Sequence, residues 1–385
     1  MRNKMLAGVA AATLLVGVAA APAATAVAPE RATTNRSDLQ KQLDGLVRDW
    51  KFPAALASVD NGKTQRSYVA GRSQLGGNQP PPREGRVRAG SNTKTFVAVV
   101  VLQLVAEGKV KLDAPIEDYL PGLVRGKGID GRNITVRQLL QHTSGLPNYT
   151  AHMGLENFEK LRNRYYQPRE LLDIALAQPA SSKPGAKWEY SNTNYVLAGL
   201  LIERVSGRPV AEQVADRILK PLNLRGTYWP AVGDMTIQGR HPHGYHVADA
   251  PSKKIIDVTE LDPSWGWAAG QLISTTGDLN RFFSALLGGK LLPAAELAQM
   301  KKTVPAEMWS GARYGLGLVS TPLSCGGVYW GHGGDIHGYE TRGGVTTSGR
   351  AAAIAVTSLP GAFEPDNGEK AAGAVLATVD KALCS

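Results

Sequence analysis

A run that is apolar on nearly every side most constrains how this chain of 385 residues can fold. Residues 96–105 are apolar except for Gln103, and a helix with such a pattern is buried in the protein interior. Ser91 and Lys94 precede the run and, three residues apart, lie on one face of the helix. The sequence therefore predicts a buried helix that carries a hydroxyl and an amine in its first turn.

This pair of groups indicates nucleophilic catalysis. Burial disfavours the charged form of a lysine and lowers its pKa, and a neutral amine beside a serine hydroxyl is a nucleophile with its base. Ser91 is the only serine with a lysine three residues after it. The alternative is structural, with Ser91 capping the helix and Lys94 extending its ammonium group into solvent.

The N-terminal segment has the pattern of a secretory signal peptide over residues 1–26. Arg2 and Lys4 precede an apolar stretch that ends in small residues, and Ala24–Ala26 fits a cleavage site. We expect residues 27–37 to be a disordered lead. A retained membrane anchor is the alternative, although the stretch is short and weakly apolar for a span. We predict a secreted protein, either free outside the cell or associated with the cell wall. After the signal peptide is cleaved, we expect no contact with the membrane.

If the protein is exported, its two cysteines can be interpreted. An oxidising compartment favours a disulfide between Cys325 and Cys384, the only pair available. The net charge of +10 is scattered, without the basic runs and interleaved aromatic residues typical of nucleic-acid binding. We expect solvated surface charge and no nucleic-acid partner; attraction to anionic wall polymers is the alternative.

Strand patterns lie at both ends of the mature chain, and helical patterns lie between them. Strand composition or alternation marks 54–59, 64–70, 314–319, 328–332 and 351–357. Helical spacing marks the terminal segments 38–50 and 367–383. Strands from both ends can share one sheet.

The predicted fold class is therefore α+β, with an antiparallel sheet flanked by terminal helices and an inserted all-helical lobe. We expect a single catalytic unit over 38–385. Its α/β lobe would comprise about 38–90 and 300–385, and its helical lobe about 91–299.

Two later segments add polar groups. Tyr190 and Asn192 lie in a loop that leads into a helical pattern, and His332-Gly333-Gly334 ends a predicted strand. Taken singly, the first segment also fits helix capping, and the second also fits a hairpin corner.

In this order, Ser-x-x-Lys, Tyr-x-Asn and His-x-Gly resemble the motifs of the penicillin-recognising serine hydrolases. The resemblance is to their class C β-lactamase and D-alanyl-D-alanine carboxypeptidase branch, above all to secreted actinomycete DD-peptidases. It covers about Asp38 to Cys384 and includes segments 139–146 and 274–279. It implies the β-lactamase/DD-peptidase fold, which agrees with the strand–helix–strand order.

The resemblance also implies catalytic roles. Ser91 would attack a carbonyl carbon and carry the acyl group, and Lys94 would help to remove the Ser91 proton. Tyr190, ionised or hydrogen-bonded to Lys94, would pass a proton to the leaving amine. Asn192 would hold the substrate and orient Lys94. His332, in place of a more usual lysine, would adjust the Tyr190 pKa and help to place an anionic part of the substrate.

Backbone groups would complete the site. The Ser91 N–H would supply half of an oxyanion hole, and the Asp335 or Ile336 N–H the other half. Gly333 and Gly334, which lack a Cβ, would let the substrate lie along their strand.

Trp265 and Trp267 would be aromatic walls of the substrate site, or equally part of the buried core.

Asp335 departs from the pattern of the carboxypeptidase relatives, which often have a hydroxyl there. A carboxylate repels a C-terminal carboxylate unless it is neutral or turned away, and it attracts a free amine. Segment 319–322, which directly follows Leu318, contains no arginine that could restore the attraction. This residue raises the possibility of D-aminopeptidase activity.

We interpret the chain as a secreted active-site serine hydrolase that acts through an acyl-enzyme on peptides with D-amino acids, D-alanyl-D-alanine carboxypeptidase-like. The alternatives are a D-aminopeptidase, D-stereospecific amidohydrolase or esterase on the same scaffold, and a module that binds β-lactams or wall peptides without turnover. We expect a monomer without cofactor or metal, peptidoglycan stem peptides as substrates and β-lactams as acylating ligands. The histidines of segment 241–246 lack the partners of a familiar metal site.

Overall fold

The computed structural model describes residues 37–155, 158–248 and 253–385. The predicted signal peptide (1–26) and lead (27–37) lie outside the described residues, except for Ser37. The Ser37 hydroxyl caps the first helix by accepting a hydrogen bond from the Gln40 N–H at 3.3 Å. Ser37–Ser385 form one compact unit. In these described ranges, no helix combines the length and apolarity needed to cross a bilayer.

Helices and strands alternate along this unit. The α-helices of the described chain are α1 (Asp38–Trp50), α2 (Asn92–Ala106), α3 (Val136–Leu140), α4 (Phe158–Leu161), α5 (Pro168–Leu176), α6 (Thr193–Ser206), α7 (Val210–Val214), α8 (Trp267–Gly270), α9 (Thr276–Leu287), α10 (Ala294–Met300) and α11 (Gly368–Cys384). The strands are β1 (Ala54–Asp60), β2 (Gln65–Gly71), β3 (Val87–Arg88), β4 (Arg125–Gly126), β5 (Ile129–Asp130), β6 (Tyr245–Val247), β7 (Ile255–Asp257), β8 (Ile273–Ser274), β9 (Val304–Pro305), β10 (Arg313–Tyr314), β11 (Val319–Pro322), β12 (Val328–Gly331), β13 (Gly334–Ile336), β14 (Tyr339–Thr346) and β15 (Ala351–Val356).

The main sheet joins strands from both ends of the chain. Its order is β2-β1-β15-β14-β12-β11-β10-β9, every pair is antiparallel, and β13 pairs with β14 beside β12. The terminal helices α1 and α11 cover one face, where Leu43, Leu46, Val375 and Val379 are buried in a cluster with Ile354 of the sheet. The predicted α+β fold, with an antiparallel sheet flanked by terminal helices, is confirmed.

Two strands differ from the sequence prediction. Segment 314–319 is not one strand, because β10 and β11 are joined by a turn at whose centre Gly317 has a φ of 71°. The central strand β14 was missed, since Gly343 and Gly344 weaken its strand composition. Both glycines are required by close packing in the sheet. A Cβ would lie 2.3 Å from the Ala352 carbonyl oxygen at Gly343 and 2.3 Å from that of Trp330 at Gly344.

Helix α2 is buried through the centre of the molecule. Its residues Asn92 to Leu102 are all buried, and the Phe96 ring stacks on Phe282 of α9 at 3.6 Å between centroids. Helix α9 itself packs on the sheet, where Asn280 Nδ2 donates to the Ser58 carbonyl oxygen at 2.8 Å. The predicted lobe boundary is corrected accordingly, because segment 276–287 belongs with the sheet and not with the helical lobe.

Cys325 and Cys384 form the disulfide, with Cα atoms 5.8 Å apart and a sequence separation of 59. The bond ties the end of α11 to the turn after β11. A crosslink that closes a loop of this length stabilises the folded state by roughly 4 kcal/mol, mainly by restricting the unfolded chain. We expect the double variant Cys325→Ser/Cys384→Ser to lose about this much free energy of unfolding in urea titrations. Wild-type protein under reducing agent should match the variant; equal stability of all three forms would contradict the estimate.

Candidate active site

The start of helix α2 brings a hydroxyl, an amine and an amide together. Lys94 Nζ lies 2.9 Å from Ser91 Oγ, 2.7 Å from Asn192 Oδ1 and 2.7 Å from the Ala269 carbonyl oxygen. Lys94 is 0% exposed, and the Ser91 side chain makes no capping hydrogen bond. The structural alternative, a capping serine with a solvent-exposed lysine, is therefore wrong.

Burial also disfavours the charged form of the amine. It lowers the pKa of Lys94 well below its ordinary value, and the nearby Asp335 charge opposes this only in part. A neutral amine donates two hydrogen bonds, for which the Asn192 and Ala269 oxygens are placed, and its lone pair accepts the Ser91 hydroxyl proton. The geometry is that of a base beside its nucleophile, and Asn192 orients the base.

Tyr190 lies on the other side of the hydroxyl. Burial raises its pKa, and a hydrogen bond with Ser91 offsets this in part. Lys94 Nζ lies over the Tyr190 ring, 4.9 Å from its centroid. Of the two predicted states, ionised or hydrogen-bonded to Lys94, neither describes this arrangement, because a buried phenol without an aligned cation keeps its proton. Tyr190 is a neutral phenol that contacts Ser91.

His332 is brought to the cleft, but its imidazole does not carry the positive charge that would help to place an anionic part of the substrate. Burial lowers its pKa to about 3, so the imidazole is neutral. Its Nε2 accepts from the Tyr314 hydroxyl at 2.9 Å, and its Nδ1 donates to the Gly333 carbonyl oxygen. A neutral ring offers no positive charge to an anionic substrate group. Apart from burial, the Tyr190 pKa is set by Ser91, Asp335 and Arg342 instead.

Asp335 lies at the rim of the cleft beside an arginine that sequence analysis missed. Arg342 Nη2 donates to both Asp335 carboxylate oxygens, at 2.8 and 3.1 Å. Arg342 is on β14, the strand that the sequence did not reveal, so its approach to β13 was not foreseen. The carboxylate remains 54% exposed on its side chain.

The glycines after His332 serve the protein's own packing. A Cβ on Gly334 would lie 1.9 Å from the Ala89 carbonyl oxygen, and one on Gly333 would lie 2.8 Å from Arg342 Nη1. Gly333 lines the cleft and Gly334 is buried. The space that we expected for substrate is therefore filled by Ala89 and Arg342, because the strand must approach the start of α2 closely.

The two segments that carry the predicted oxyanion groups lie next to each other. The Ser91 N–H is in the first turn of α2, where amides have no intrahelical acceptor. Gly90 has a φ of 52°, and a Cβ there would come within 2.8 Å of the Asp335 backbone nitrogen. The start of α2 therefore abuts β13. Which amide of β13, Asp335 or Ile336, completes the oxyanion hole stays a prediction.

Trp265 belongs to the core and not to the wall of the cleft. It is 8% exposed, and its ring packs edge-on against Phe158 and His337. The apolar wall comes from Trp188, Met308 and Trp309, which line a cleft of about 870 Å³ together with Ser91, Tyr190 and Asn192. Trp188 is two residues before Tyr190 and was within reach of sequence reasoning. Segment 305–309 carries no motif that points to the site.

The His142 ring packs against Tyr190, a contact that the sequence analysis did not predict. His142 itself has a φ of 59°. Its ring lies 4.3 Å from the Tyr190 ring, and its Nδ1 accepts from the Ser191 N–H at 3.2 Å and lies 2.9 Å from Asn194 Nδ2. This packing holds the Tyr190 phenol in position beside Ser91.

The other histidine-rich segment does not form a metal site in the described ranges. His241 bonds to the Gly239 carbonyl oxygen and His243 pairs with Asp257 at 2.6 Å. No group of three or more potential ligands is gathered in the part of the chain that the structure describes.

Comparisons with known proteins place this site in a family. The family model described as Beta-lactamase matches residues 41–377. Putative penicillin-binding protein PbpX of Bacillus subtilis is 26% identical over 334 residues, which cover 84% of this chain and 74% of PbpX. Protein flp of Staphylococcus aureus is 26% identical over 247 residues, 60% of this chain. The match spans 48% of the flp length, about half of that relative.

Solved structures agree. A D-stereospecific amidohydrolase from Streptomyces sp. is 41% identical, with a TM-score of 0.78 and coverage of 83% of this chain and 93% of that one. A D-amino acid amidase from Ochrobactrum anthropi SV3, complexed with L-phenylalanine amide, is 27% identical, with a TM-score of 0.76 and coverage of 89% and 97%. The chain belongs to the beta-lactamase family of serine hydrolases.

Proposed function

We propose that this enzyme is a D-stereospecific amidohydrolase that cleaves amides and short peptides of D-amino acids with a free α-amine, through an acyl-enzyme at Ser91. The observation that carries this substrate class is the charge of the cleft. The proposal replaces the carboxypeptidase interpretation by its alternative.

The cleft offers an anion no unpaired cation among the residues described. Its lining contains two cations, Lys187 and Arg342, and three carboxylates, Glu189, Glu307 and Asp335. Lys187 pairs with Glu189 at 2.8 Å and Arg342 pairs with Asp335 at 2.8 Å. A substrate with a free carboxylate would meet net negative charge, whereas an ammonium group would be attracted.

The named relatives support the same class. By name, the Streptomyces structure is a D-stereospecific amidohydrolase and the Ochrobactrum structure is a D-amino acid amidase. The Trp188, Met308 and Trp309 wall suits a substrate with a large apolar side chain. The preference for the D enantiomer is proposed from the names of these two relatives.

The geometry suggests how the reaction proceeds. Lys94 accepts the Ser91 proton as the hydroxyl oxygen attacks the amide carbon. The Ser91 N–H and an amide of β13 stabilise the oxyanion. The Tyr190 phenol, held against Ser91, donates its proton to the leaving nitrogen, and Lys94 returns a proton to the phenolate. Water then cleaves the ester by the same groups in reverse.

The proposal includes two further expectations, acylation by β-lactams and export from the cell. β-Lactams would acylate Ser91, because their amide presents the same carbonyl to the same groups. The reaction would be slow, because their free carboxylate meets the negative charge of the cleft. Export would follow from the N-terminal sequence pattern, and the Cys325–Cys384 disulfide suits an oxidising compartment.

A matched substrate panel tests the proposed function. We expect D-phenylalanine amide to be hydrolysed with a kcat/KM at least about tenfold above that of acetyl-D-Ala-D-Ala, since one charge contact contributes about 1.5–3 kcal/mol. The L enantiomer carries the same ammonium group, and we expect it to be hydrolysed more slowly on the basis of the named relatives. The released amino acid and ammonia would be quantified, with Ser91→Ala as the blank. Faster release of D-Ala from the free-carboxylate peptide would restore the carboxypeptidase interpretation.

A further inference from the structure

Three charged side chains project from the same face of strands β13 and β14. Asp335 is directly opposite Glu340 in the antiparallel register, and Arg342 is two residues further along β14. Residues two apart in a strand share a face, and opposite residues have neighbouring side chains. Two carboxylates therefore face each other, a destabilising arrangement unless a cation lies between them.

Arg342 is that cation, and one of its nitrogens serves both carboxylates. Nη2 lies 2.8 Å from an Asp335 oxygen and 2.8 Å from Glu340 Oε1, while Nη1 donates to the Thr341 carbonyl oxygen at 2.9 Å. Glu340 is 0% exposed, and neither of its oxygens has an aligned hydrogen-bond donor among the described residues. A single guanidinium charge is thus shared between two acids.

Only one of the two acids is available to a ligand. Glu340 is enclosed, whereas Asp335 is about half exposed and lines the same cleft as Ser91 and Tyr190. The Asp335 charge reaches the reacting groups, because it raises the pKa of Lys94 and of Tyr190. A cation bound at Asp335 would lie beside the scissile bond.

We propose that Asp335 binds the α-ammonium group of the substrate, and that Glu340 sets the strength of this subsite by competing with Asp335 for the Arg342 guanidinium. This inference rests on the proposed function and names the residues that select the free amine. When Glu340 is ionised, the three groups carry one negative charge in excess, and the substrate ammonium neutralises it. Asp335 is the contact residue, and Arg342 and Glu340 are positioning residues.

The competition depends on pH. Burial raises the pKa of Glu340 to about 8, and Arg342 opposes this shift while Asp335 adds to it. Val356, its partner on β15, is apolar. Raising the pH through 8 ionises Glu340, which then balances the Arg342 charge and leaves Asp335 to attract a cation. A ligand that stays cationic should therefore bind more tightly as the pH rises.

The first experiment compares D-phenylalanine amide with N-acetyl-D-phenylalanine amide at pH 7, where an α-amine is largely protonated. We expect Asp335→Asn to lower the ratio of their kcat/KM values by about tenfold or more, mainly through KM of the free amine. The acetylated substrate reports any shared effect on Lys94 and Tyr190. Glu369→Gln removes one exposed charge outside the cleft lining and should leave the ratio unchanged.

The outcomes separate the two claims. If wild-type enzyme hydrolyses neither amide, the proposed function is wrong. If it hydrolyses the free amine and Asp335→Asn keeps the wild-type ratio, the function stands and Asp335 is not the ammonium subsite.

The second experiment tests Glu340 with two isosteric inhibitors, the permanently cationic benzylguanidine and the neutral benzylurea. In wild-type enzyme, the inhibition constant of benzylguanidine should fall several-fold between pH 7 and 9, while that of benzylurea stays constant. Glu340→Gln should abolish the pH dependence of benzylguanidine inhibition, and its circular dichroism spectrum and cooperative thermal unfolding should show that the variant is folded. A pH dependence that persists in Glu340→Gln, or equal inhibition by both compounds at every pH, would overturn the role of Glu340.

Discussion

Ser91→Ala should lower kcat/KM for D-amino acid amides by at least about 10⁴-fold, because it removes the nucleophile of a concerted catalytic unit. Stability should change by less than about 1 kcal/mol, since the hydroxyl makes no helix-capping bond. Residual turnover would come from the oxyanion groups and substrate positioning alone.

Mass spectrometry provides the direct readout. Wild-type enzyme incubated with a penicillin or an activated D-amino acid ester should carry one acyl group on the peptide that contains Ser91, and the variant should carry none. Activity retained by Ser91→Ala, or an adduct on another residue of a fully active enzyme, would remove Ser91 from the mechanism.

Lys94→Met should lower kcat by about 10²–10⁴-fold, the usual contribution of a general base, and should raise stability near neutral pH. The second effect follows from linkage. The pKa of Lys94 is depressed in the folded state, so the unfolded chain binds more protons, and this destabilises the folded wild type until the pH approaches the ordinary lysine value of about 10.5. An apolar side chain of similar length avoids that cost.

Thermal unfolding across pH 6–10 and initial rates on D-phenylalanine amide test both effects. Wild-type Tm should rise with pH relative to the variant. Wild-type activity should fall at low pH as Lys94 becomes protonated. A wild-type Tm that does not rise with pH relative to the variant would show that the Lys94 pKa is not depressed, and full activity of the variant would show that Lys94 is not the base.

The sequence predicted the catalytic centre because its signals are local. A serine and a lysine one turn apart share a face in any helix, and an apolar run forces that helix inside. The cysteine pair and the terminal strands followed from equally short-range features. The distant partner Asn192 was identified through the resemblance, and the structure places it 2.7 Å from Lys94.

The specificity groups were not predictable in this way. Arg342 and Glu340 are on β14, whose two glycines conceal a central strand, and their charges matter only through the register with Asp335. His332 was expected to help to place an anionic part of the substrate, but enclosure by its neighbours lowers its pKa and disfavours the positive charge that would attract such a group. Trp265 was a candidate for the cleft wall and Trp309 was not, but packing buries Trp265 in the core and places Trp309 at the cleft.

The amino-acid sequence by itself determined the fold class and pointed to the proposed nucleophile and its base, because helical periodicity and short spacings act within one element. The tertiary structure decided the charge of the cleft and the protonation of its histidine and tyrosine. Desolvation and ion pairing depend on which distant side chains surround a group, and those neighbours are set only when the sheet assembles.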